Sequence, residues 1–444
     1  MKRRPQDSKG APWAFYIETY GCKVNQYESQ ALREAWENRG GVEHDRPEDA
    51  DILCVNSCAV TARGERDARN AVFRLRRAAP KAKLILTGCA AQFFAAHKPR
   101  RGAPASIPDI CCPQKHKASL LLRDPRELTQ DMPGTPLDDW RITSFKRARP
   151  VVKVQNGCDH CCTFCVVPFT RGAPVSRSRE DVLAECVRLF EAGHAEIMLS
   201  GINLRLYGKN APTVGDFWDL LVFLDKNLAP EFAGRARLRI SSLDPAQLGT
   251  RGLDLLASCR MACPHLHLSL QHASSAVLRR MGRGHYTAQD AADAVRKLAR
   301  IWPTMGLGAD ILVGFPGETE ADLDELLDFV REVPFSYAHV FPWSSRPGTP
   351  AAGFDGQMPV AARKARAVRI REAVAGKRAI FLQKQLGLGH MLVAADNPAS
   401  SVLKGVNEFY APCVFRDEPT PTASLMPARP VGLKGEAVLV EYFP

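Results

Sequence analysis

The chain has 444 residues, a formal net charge of +12, 45% hydrophobic and 24% charged residues, a length that suggests two to four domains. No apolar run approaches the ~20 residues of a membrane span, and no apolar segment follows the basic start Met1-Lys2-Arg3-Arg4-Pro5, so neither a membrane protein nor a signal peptide is expected. Fourteen cysteines without a secretory signal point to a reducing, cytoplasmic setting in which thiols bind metal rather than pair.

In the first region, residues 13–123, apolar strand candidates at 14–17, 51–55 and 83–86 alternate with helical stretches at 28–39 and 62–79. This order predicts a parallel, doubly wound sheet. Cys22, Cys58 and Cys89 each follow a strand by a few residues. Ligand crevices of open parallel sheets lie beyond the carboxyl ends of the strands, so the three thiols converge on one edge. A metal site is favoured there over three small buried hydrophobes. The neighbours Cys111 and Cys112 read as packing residues. A proline-rich stretch over 97–140, with Pro99, Pro104, Pro108, Pro113, Pro125, Pro133 and Pro136, ends in a linker.

The second region, residues 144–376, repeats strand then helix six times. Strands are predicted at 151–154, 196–199, 237–240, 265–270, 309–313 and 339–341, with helices at 179–192, 288–301 and 320–332 between them. Six such units make a partial (β/α)6 barrel, whose chemistry lies at the carboxyl ends of its strands. Cys158-x3-Cys162-x2-Cys165 follows the first strand and falls on that rim. Three thiolates so close can hold three irons of a four-iron cluster and leave the fourth open to a cofactor or substrate. Zinc sites favour paired C-x2-C units or added histidines, so zinc is disfavoured. Cys161 creates a rival spacing, Cys158-x2-Cys161-x3-Cys165. His160 need not be a ligand, and Arg171 would meet either a phosphate or a carboxylate. His265 and His267 share a strand face and read as packing or polar-network residues.

In the last region, residues 378–443, short β-rich segments at 391–394, 410–415 and 437–442 predict a small β-barrel. Basic residues are dense at 141–149, 279–285 and 363–378. They suggest a polyanion partner such as RNA, against the plainer reading of solvated helix faces.

Six motifs, in order, resemble those of the radical S-adenosylmethionine methylthiotransferases. They are Tyr20-Gly21-Cys22-Lys23-Val24-Asn25-Gln26-Tyr27-Glu28-Ser29, Val55-Asn56-Ser57-Cys58-Ala59-Val60-Thr61, Gly88-Cys89-Ala90-Ala91-Gln92, Gly157-Cys158-Asp159-His160-Cys161-Cys162-Thr163-Phe164-Cys165, Asp310-Ile311-Leu312-Val313-Gly314-Phe315-Pro316-Gly317-Glu318-Thr319 and Phe341-Pro342-Trp343-Ser344-Ser345-Arg346-Pro347-Gly348-Thr349-Pro350. The resemblance implies an α/β chain with three domains. These are an amino-terminal doubly wound parallel-sheet domain (13–123), a radical core built as a partial (β/α)6 barrel (144–376) and a TRAM-like RNA-binding β-barrel (378–443). Lys404-Gly405-Val406-Asn407-Glu408-Phe409-Tyr410-Ala411-Pro412 resembles only one strand-turn of that last barrel.

The resemblance also implies two [4Fe-4S] clusters. Cys22, Cys58 and Cys89 would hold the first, which carries the sulfur to be donated. Cys158, Cys162 and Cys165 would hold the second, whose open iron binds S-adenosyl-L-methionine for cleavage to a 5′-deoxyadenosyl radical. No catalytic residue is expected beyond these ligands. Phe164, Gly201, Asn203, Gln271 and Gly314 are candidates to contact the cofactor on the barrel rim. The run after Cys22 looks most like the branch that adds a methylthio group to carbon 2 of N6-threonylcarbamoyladenosine at tRNA position 37. Isopentenyladenosine tRNA or a ribosomal protein is the alternative substrate. A non-catalytic iron–sulfur RNA-binding or redox-sensing protein is the alternative class. The expected partners are the tRNA anticodon loop and a low-potential electron donor, with no membrane and a monomeric chain.

Overall fold

The computed structural model describes residues 12–96, 108–130, 140–396, 402–417, 420 and 425–443. Most of the proline-rich run at 97–108, with Pro99 and Pro104, and Pro133 and Pro136 lie outside them. The chain divides into two compact units, residues 1–143 with 166–172, and residues 144–165 with 173–444.

The first unit is built on five parallel strands in the order β2-β1-β3-β4-β5. They are β1 (Trp13–Thr19), β2 (Gly41–Glu43), β3 (Ile52–Ser57), β4 (Lys83–Gly88) and β5 (Ile110–Pro113). The helices are α1 (Lys23–Glu37), α2 (Ala62–Ala78), α3 (Cys89–Ala96), α4 (Ser119–Leu122) and α5 (Val167–Arg171). Alternation along β1 sends Phe15 to one face, where its ring meets Trp36 of α1 edge-on at 5.3 Å. Tyr16 turns to the other face, against the core that Val72 and Leu75 of α2 form with Leu53, Val55, Leu84 and Leu86. Helices on both faces make the sheet doubly wound, as its sequence predicts. β5 has no strand signal in the sequence; it lies inside the stretch read as proline-rich, where Cys112 is fully buried.

In the second unit, β6 (Val151–Lys153), β9 (Glu196–Ser200) and β10 (Arg237–Ile240) form one parallel sheet, ordered β10-β9-β6. A second contains β11 (Ser242–Leu243), β12 (His265–Gln271), β13 (Gly306–Val313) and β14 (Tyr337–Pro342), also parallel. β10 and β11 are one strand bent at Ser241, so six parallel strands follow one another as the sequence predicts. β7 (Gln155–Asn156) and β8 (Val175–Ser176) are a small antiparallel pair. The helices are α6 (Arg179–Glu191), α7 (Phe217–Phe232), α8 (Thr250–Ser258), α9 (Ser275–Arg280), α10 (Ala288–Ile301), α11 (Glu320–Glu332) and α12 (Val360–Gln385). Their starts are written locally. Asp216/Asp219, Thr287/Asp290 and Thr319/Asp322 are capping boxes on α7, α10 and α11. Each capping side chain contributes about 1 kcal/mol. α12 runs unbroken across residues 376–378.

The carboxy-terminal strands β15 (Met391–Ala395), β16 (Lys404–Asn407), β17 (Pro412–Phe415), β18 (Met426–Lys434) and β19 (Ala437–Tyr442) close into a barrel in the order β15-β16-β17-β19-β18. β18 has no strand signal in the sequence, and β16 lies in the run that resembles one strand-turn of the family barrel. β18 carries Pro427 and Pro430, and its register breaks between Pro430 and Gly432, where a missing N–H is tolerated. The β16–β17 turn packs against the amino-terminal ends of the partial-barrel strands. Arg237 and Arg239, two residues apart on one face of β10, both clasp Glu196 of β9 at 2.7 Å. Their remaining N–H groups donate to the carbonyls of Leu392, Val406, Asn407 and Glu408. The Tyr410 ring lies 4.6 Å from His265, and a side chain on Gly306 would collide with the Phe409 carbonyl.

Candidate functional site

In the first unit β1, β3 and β4 end at Thr19, Ser57 and Gly88, and Cys22, Cys58 and Cys89 follow on the same edge. Cys22 caps α1 and Cys89 opens α3. A glycine precedes each of these two. Gly21 (φ +95°) approaches Cys58 so closely that a Cβ would stand 2.7 Å from its Sγ, and a Cβ on Gly88 (φ +90°) would stand 2.3 Å from the Ser57 carbonyl oxygen. Only glycine fits both the conformation and the space. Cys58 and Cys89 are buried and Cys22 is half-buried. Burial, and then the neighbouring Cys22 and Cys89 thiols, push Cys58 up to about 11.

A buried polar network stands behind these thiols. Glu28 of α1 accepts from Lys117 Nζ at 2.6 Å, from Arg171 at 3.1 Å and from Gln114 at 3.0 Å. Arg171 also donates to Asn25 Oδ1 at 2.6 Å, and Asn25 donates to the Ser57 carbonyl at 2.9 Å. Lys117 and Arg171, both buried, share the Glu28 carboxylate. Burial opposes the charge on Arg171, but Glu28, Cys89 and Cys22 raise its pKa well above the ordinary value. Thiols beside the buried Arg171 guanidinium suit an anionic iron–sulfur cluster, because its positive charge favours thiolates. Of the two readings of Arg171, the carboxylate is the one realised, in its ion pair with Glu28.

In the second unit, Cys158, Cys162 and Cys165 follow β6 and β7 at the carboxyl end of the first barrel strand. Asn203 Nδ2 donates to Cys158 Sγ at 3.7 Å, and Arg283 Nη1 to Cys162 Sγ at 3.9 Å. Arg283 is fixed by Asp244 Oδ2 at 2.9 Å and the Ser269 carbonyl at 2.8 Å. Burial raises the pKa of Cys162, and Arg283 opposes the rise. The loop is held by Thr163 N–H on the Met281 carbonyl at 3.0 Å and by Gly282, where a Cβ would meet the Cys161 carbonyl at 2.9 Å. Cys161 is exposed, and its Sγ lies 3.6 Å from the Asp159 carbonyl. His160 Nε2 is hydrogen-bonded to the Gly282 carbonyl at 3.0 Å. Three thiols within eight residues, two of them touched by N–H donors, fit a cluster whose sulfurs accept hydrogen bonds.

Of the cofactor candidates, Gly201, Asn203, Gln271 and Gly314 lie at or just after strand ends of this unit, and Phe164 in the turn of the cysteine loop. Phe164 packs edge-on to Phe315 at 6.3 Å. Gly201 is crowded by Leu204 and Gln155, and Gln155 Oε1 accepts from Asn203 N–H at 3.0 Å. Gln271 is a non-glycine residue at φ 65°, at the register break that ends β12. Such strain concentrates at functional sites. Gly314 is left-handed at φ 71°, and its N–H donates to Glu318 at 2.6 Å. A Cβ there would meet Arg363, so packing against α12 accounts for this glycine. Sequence reading missed Arg283, Asp244 and Lys117, which carry no spacing signal.

Three of the seven basic residues at 363–378 are held in ion pairs inside the unit. Arg366 pairs with Glu318 and Glu320, Arg369 with Glu320 and Asp324, and Arg378 with Glu436. Arg283, from the second stretch, is buried. Among the described residues, no helix is long and apolar enough to cross a membrane.

Residues 152–330 match the model of the radical SAM superfamily, and residues 14–101 match uncharacterized protein family UPF0004. The threonylcarbamoyladenosine tRNA methylthiotransferase MtaB of Thermotoga maritima is 34% identical over 399 residues, covering 89% of each chain. The protein of that name from Bacillus subtilis is 34% identical, covering 77% of this chain and 76% of its own. The tRNA-2-methylthio-N(6)-dimethylallyladenosine synthase of Anaplasma marginale is also 34% identical, covering 84% and 82%. Among solved structures, the radical S-adenosylmethionine methyltransferase TsrM of Kitasatospora setae, with cobalamin and a [4Fe-4S] cluster bound, superposes with a TM-score of 0.52. It is 16% identical and covers 77% of each chain, a likeness of fold alone.

Proposed function

We propose that this chain, which belongs to the radical S-adenosylmethionine methylthiotransferase family, adds a methylthio group to carbon 2 of N6-threonylcarbamoyladenosine at position 37 of tRNA. The observation that carries the reading is the pair of three-cysteine sets, one at each strand-end edge and each beside a buried cation. On this reading residues 13–123 hold the sulfur-donating site, 144–376 the radical site, and 378–443 carry, from Met391 on, a barrel that contacts RNA.

Cys158, Cys162 and Cys165 would hold one [4Fe-4S] cluster and Cys22, Cys58 and Cys89 another. When bound, the clusters supply the electron that cleaves S-adenosyl-L-methionine and the sulfur for donation. The chain's own residues do the rest. Arg283 and Asn203 hold the sulfurs of Cys162 and Cys158. Glu28, Arg171 and Lys117 fix α1 against the strand ends and set the charge beside Cys22 and Cys89. Phe164, Gly201, Asn203, Gln271 and Gly314 are the proposed surroundings of the cofactor. A cytoplasmic setting with a low-potential electron donor follows from this chemistry.

The choice of threonylcarbamoyl substrate rests on the run Lys23 to Ser29. The dimethylallyladenosine reading is favoured by a relative of equal identity, so the test reads both. Nucleosides of tRNA from cells lacking this protein, before and after treatment with the reconstituted enzyme, are separated by mass spectrometry. A methylthio mark on threonylcarbamoyladenosine alone is expected. A mark on isopentenyladenosine alone would overturn the substrate and leave the reaction class intact.

A further inference from the structure

Within the second unit, three titratable side chains outside its cysteine set converge. His267 on β12, Asp310 on β13 and His339 on β14 come from three adjacent parallel strands, with Asp310 in register with His339. One ligand-capable atom of each lies within 4.8 Å of the other two. His267 Nε2 is 3.2 Å from Asp310 Oδ1, and the rings of His267 and His339 are 5.3 Å apart.

We propose that His267, Asp310 and His339 form a site for a divalent first-row cation of the zinc type, separate from the iron–sulfur chemistry. Donors of a tetrahedral ion bound at about 2.0–2.1 Å stand roughly 3.3 Å apart. The His267–Asp310 spacing already meets that edge, and closing the third corner needs a small movement of His339. Two imidazoles and a carboxylate are a borderline nitrogen and oxygen set, unlike the soft thiolates of the cysteine sites.

The surroundings of a metal ligand are in place too. Tyr337 Oη lies 3.0 Å from His267 Nδ1, which leaves Nε2 as the nitrogen beside Asp310. Such an outer partner fixes ring orientation and tautomer. Gly308, in register with both His267 and Tyr337, makes this pairing possible. A Cβ there would stand 2.2 Å from the Tyr337 ring and 2.6 Å from His267 Nδ1. His267 is buried, whereas His339 is exposed and lines, with Tyr337, Arg371, Arg378 and Tyr410, a pocket of about 380 Å³. The pocket gives an ion a way in. Three protein ligands leave a fourth position for water or an anionic oxygen, the pattern of a Lewis-acid site rather than a closed structural one.

The test uses the full-length, cluster-loaded protein, prepared anaerobically and stripped of loose metal with a chelator. It is dialysed against zinc, and zinc and iron are counted together beside the zinc K-edge spectrum. About one zinc per wild-type chain is expected, with nitrogen and oxygen scatterers only. His339→Ala and Asp310→Asn should each weaken zinc binding ~10-fold or more with the iron count unchanged. His339 is exposed, so its loss leaves the core packing intact. Equal zinc uptake in wild type and both variants, sulfur scatterers around the zinc, or no uptake, which would leave a hydrogen-bonded His267–Asp310 pair, would each overturn the site.

Discussion

The guanidinium of Arg283 stands 3.9 Å from the sulfur of Cys162 while Asp244 grips its other nitrogen at 2.9 Å. On the proposed assignment of Cys162 as a cluster ligand, a buried, permanently charged donor at its sulfur would stabilise the reduced, more negative state. Arg283→Gln should therefore lower the midpoint potential of the barrel-rim cluster by about 60 mV, the one-electron equivalent of ~1.4 kcal/mol. A potentiometric titration followed by electron paramagnetic resonance reads this directly. An unchanged potential would reduce Arg283 to a packing role.

The two cysteine sets should load independently. Anaerobic reconstitution is expected to give about eight irons per chain. Changing Cys22, Cys58 and Cys89 together to Ala should leave about four and preserve cleavage of S-adenosylmethionine. A triple variant that retains all its iron would mean the amino-terminal site has been misassigned.

Cys161 and Cys162 are neighbours with opposite surroundings, one exposed and one touched by Arg283. Cys161→Ser should keep cofactor cleavage and Cys162→Ser should abolish it. The reverse pattern would hand the ligand role to the rival spacing.

Affinity for tRNA should fall steeply with salt and alike for every tRNA, as phosphate contacts dictate. Arg369 is held by Glu320 and Asp324, so it is poorly placed to add a phosphate contact. Arg369→Ala should change the salt slope by much less than the ~0.9 expected per lost contact. A full unit of change, measured by filter binding across salt, would show that α12 grips the backbone.

Glu196 tests how the carboxy-terminal barrel is held. Burial alone would raise its pKa, but Arg239 and Arg237 bring it down to about 2. A depressed carboxylate contributes stability that is present above its unfolded value, roughly 4.3, and is lost as pH falls through the folded one. Glu196→Gln should cost about 3–5 kcal/mol at neutral pH, since it leaves two arginines buried against an uncharged partner. The difference from wild type should shrink between about pH 4.3 and 2. Denaturant unfolding at several pH values measures it, and a pH-independent difference would reject the electrostatic account.

Much of this was legible in the sequence because it is locally encoded. The six core strands are short runs that are either apolar or, as in β10 and β12, alternate apolar with polar residues, and the capping residues before α10 and α11 stand three residues from their partners. The cysteines could be placed because each follows a strand. β18 escaped because Pro427 and Pro430 interrupt it and a strand that leaves the ladder at a bulge loses its alternation, and β5 because it is only four residues long and ends at Pro113. The charge behind the thiols escaped for another reason. Lys117 is 89 residues from Glu28, Arg171 is 143 from it, and Arg283 is 121 from Cys162. No spacing rule spans such distances, and only folding brings these groups together. The β16–β17 turn, read as a loose likeness to one family strand-turn, gave no hint that it packs into the core.

That turn limits how the protein can be taken apart. Removing residues after Gln385 would strip the carbonyl partners from Arg237 and Arg239 and uncover the backbone of Gly306. A truncated core would thus lose its own lower wall rather than an appendage. An exchange of this domain with a distant relative would have to carry matching changes on β9, β10 and β13. The two parts are therefore bound to diverge together, and a chimaera joined at α12 should be insoluble unless its recipient offers the same paired arginines.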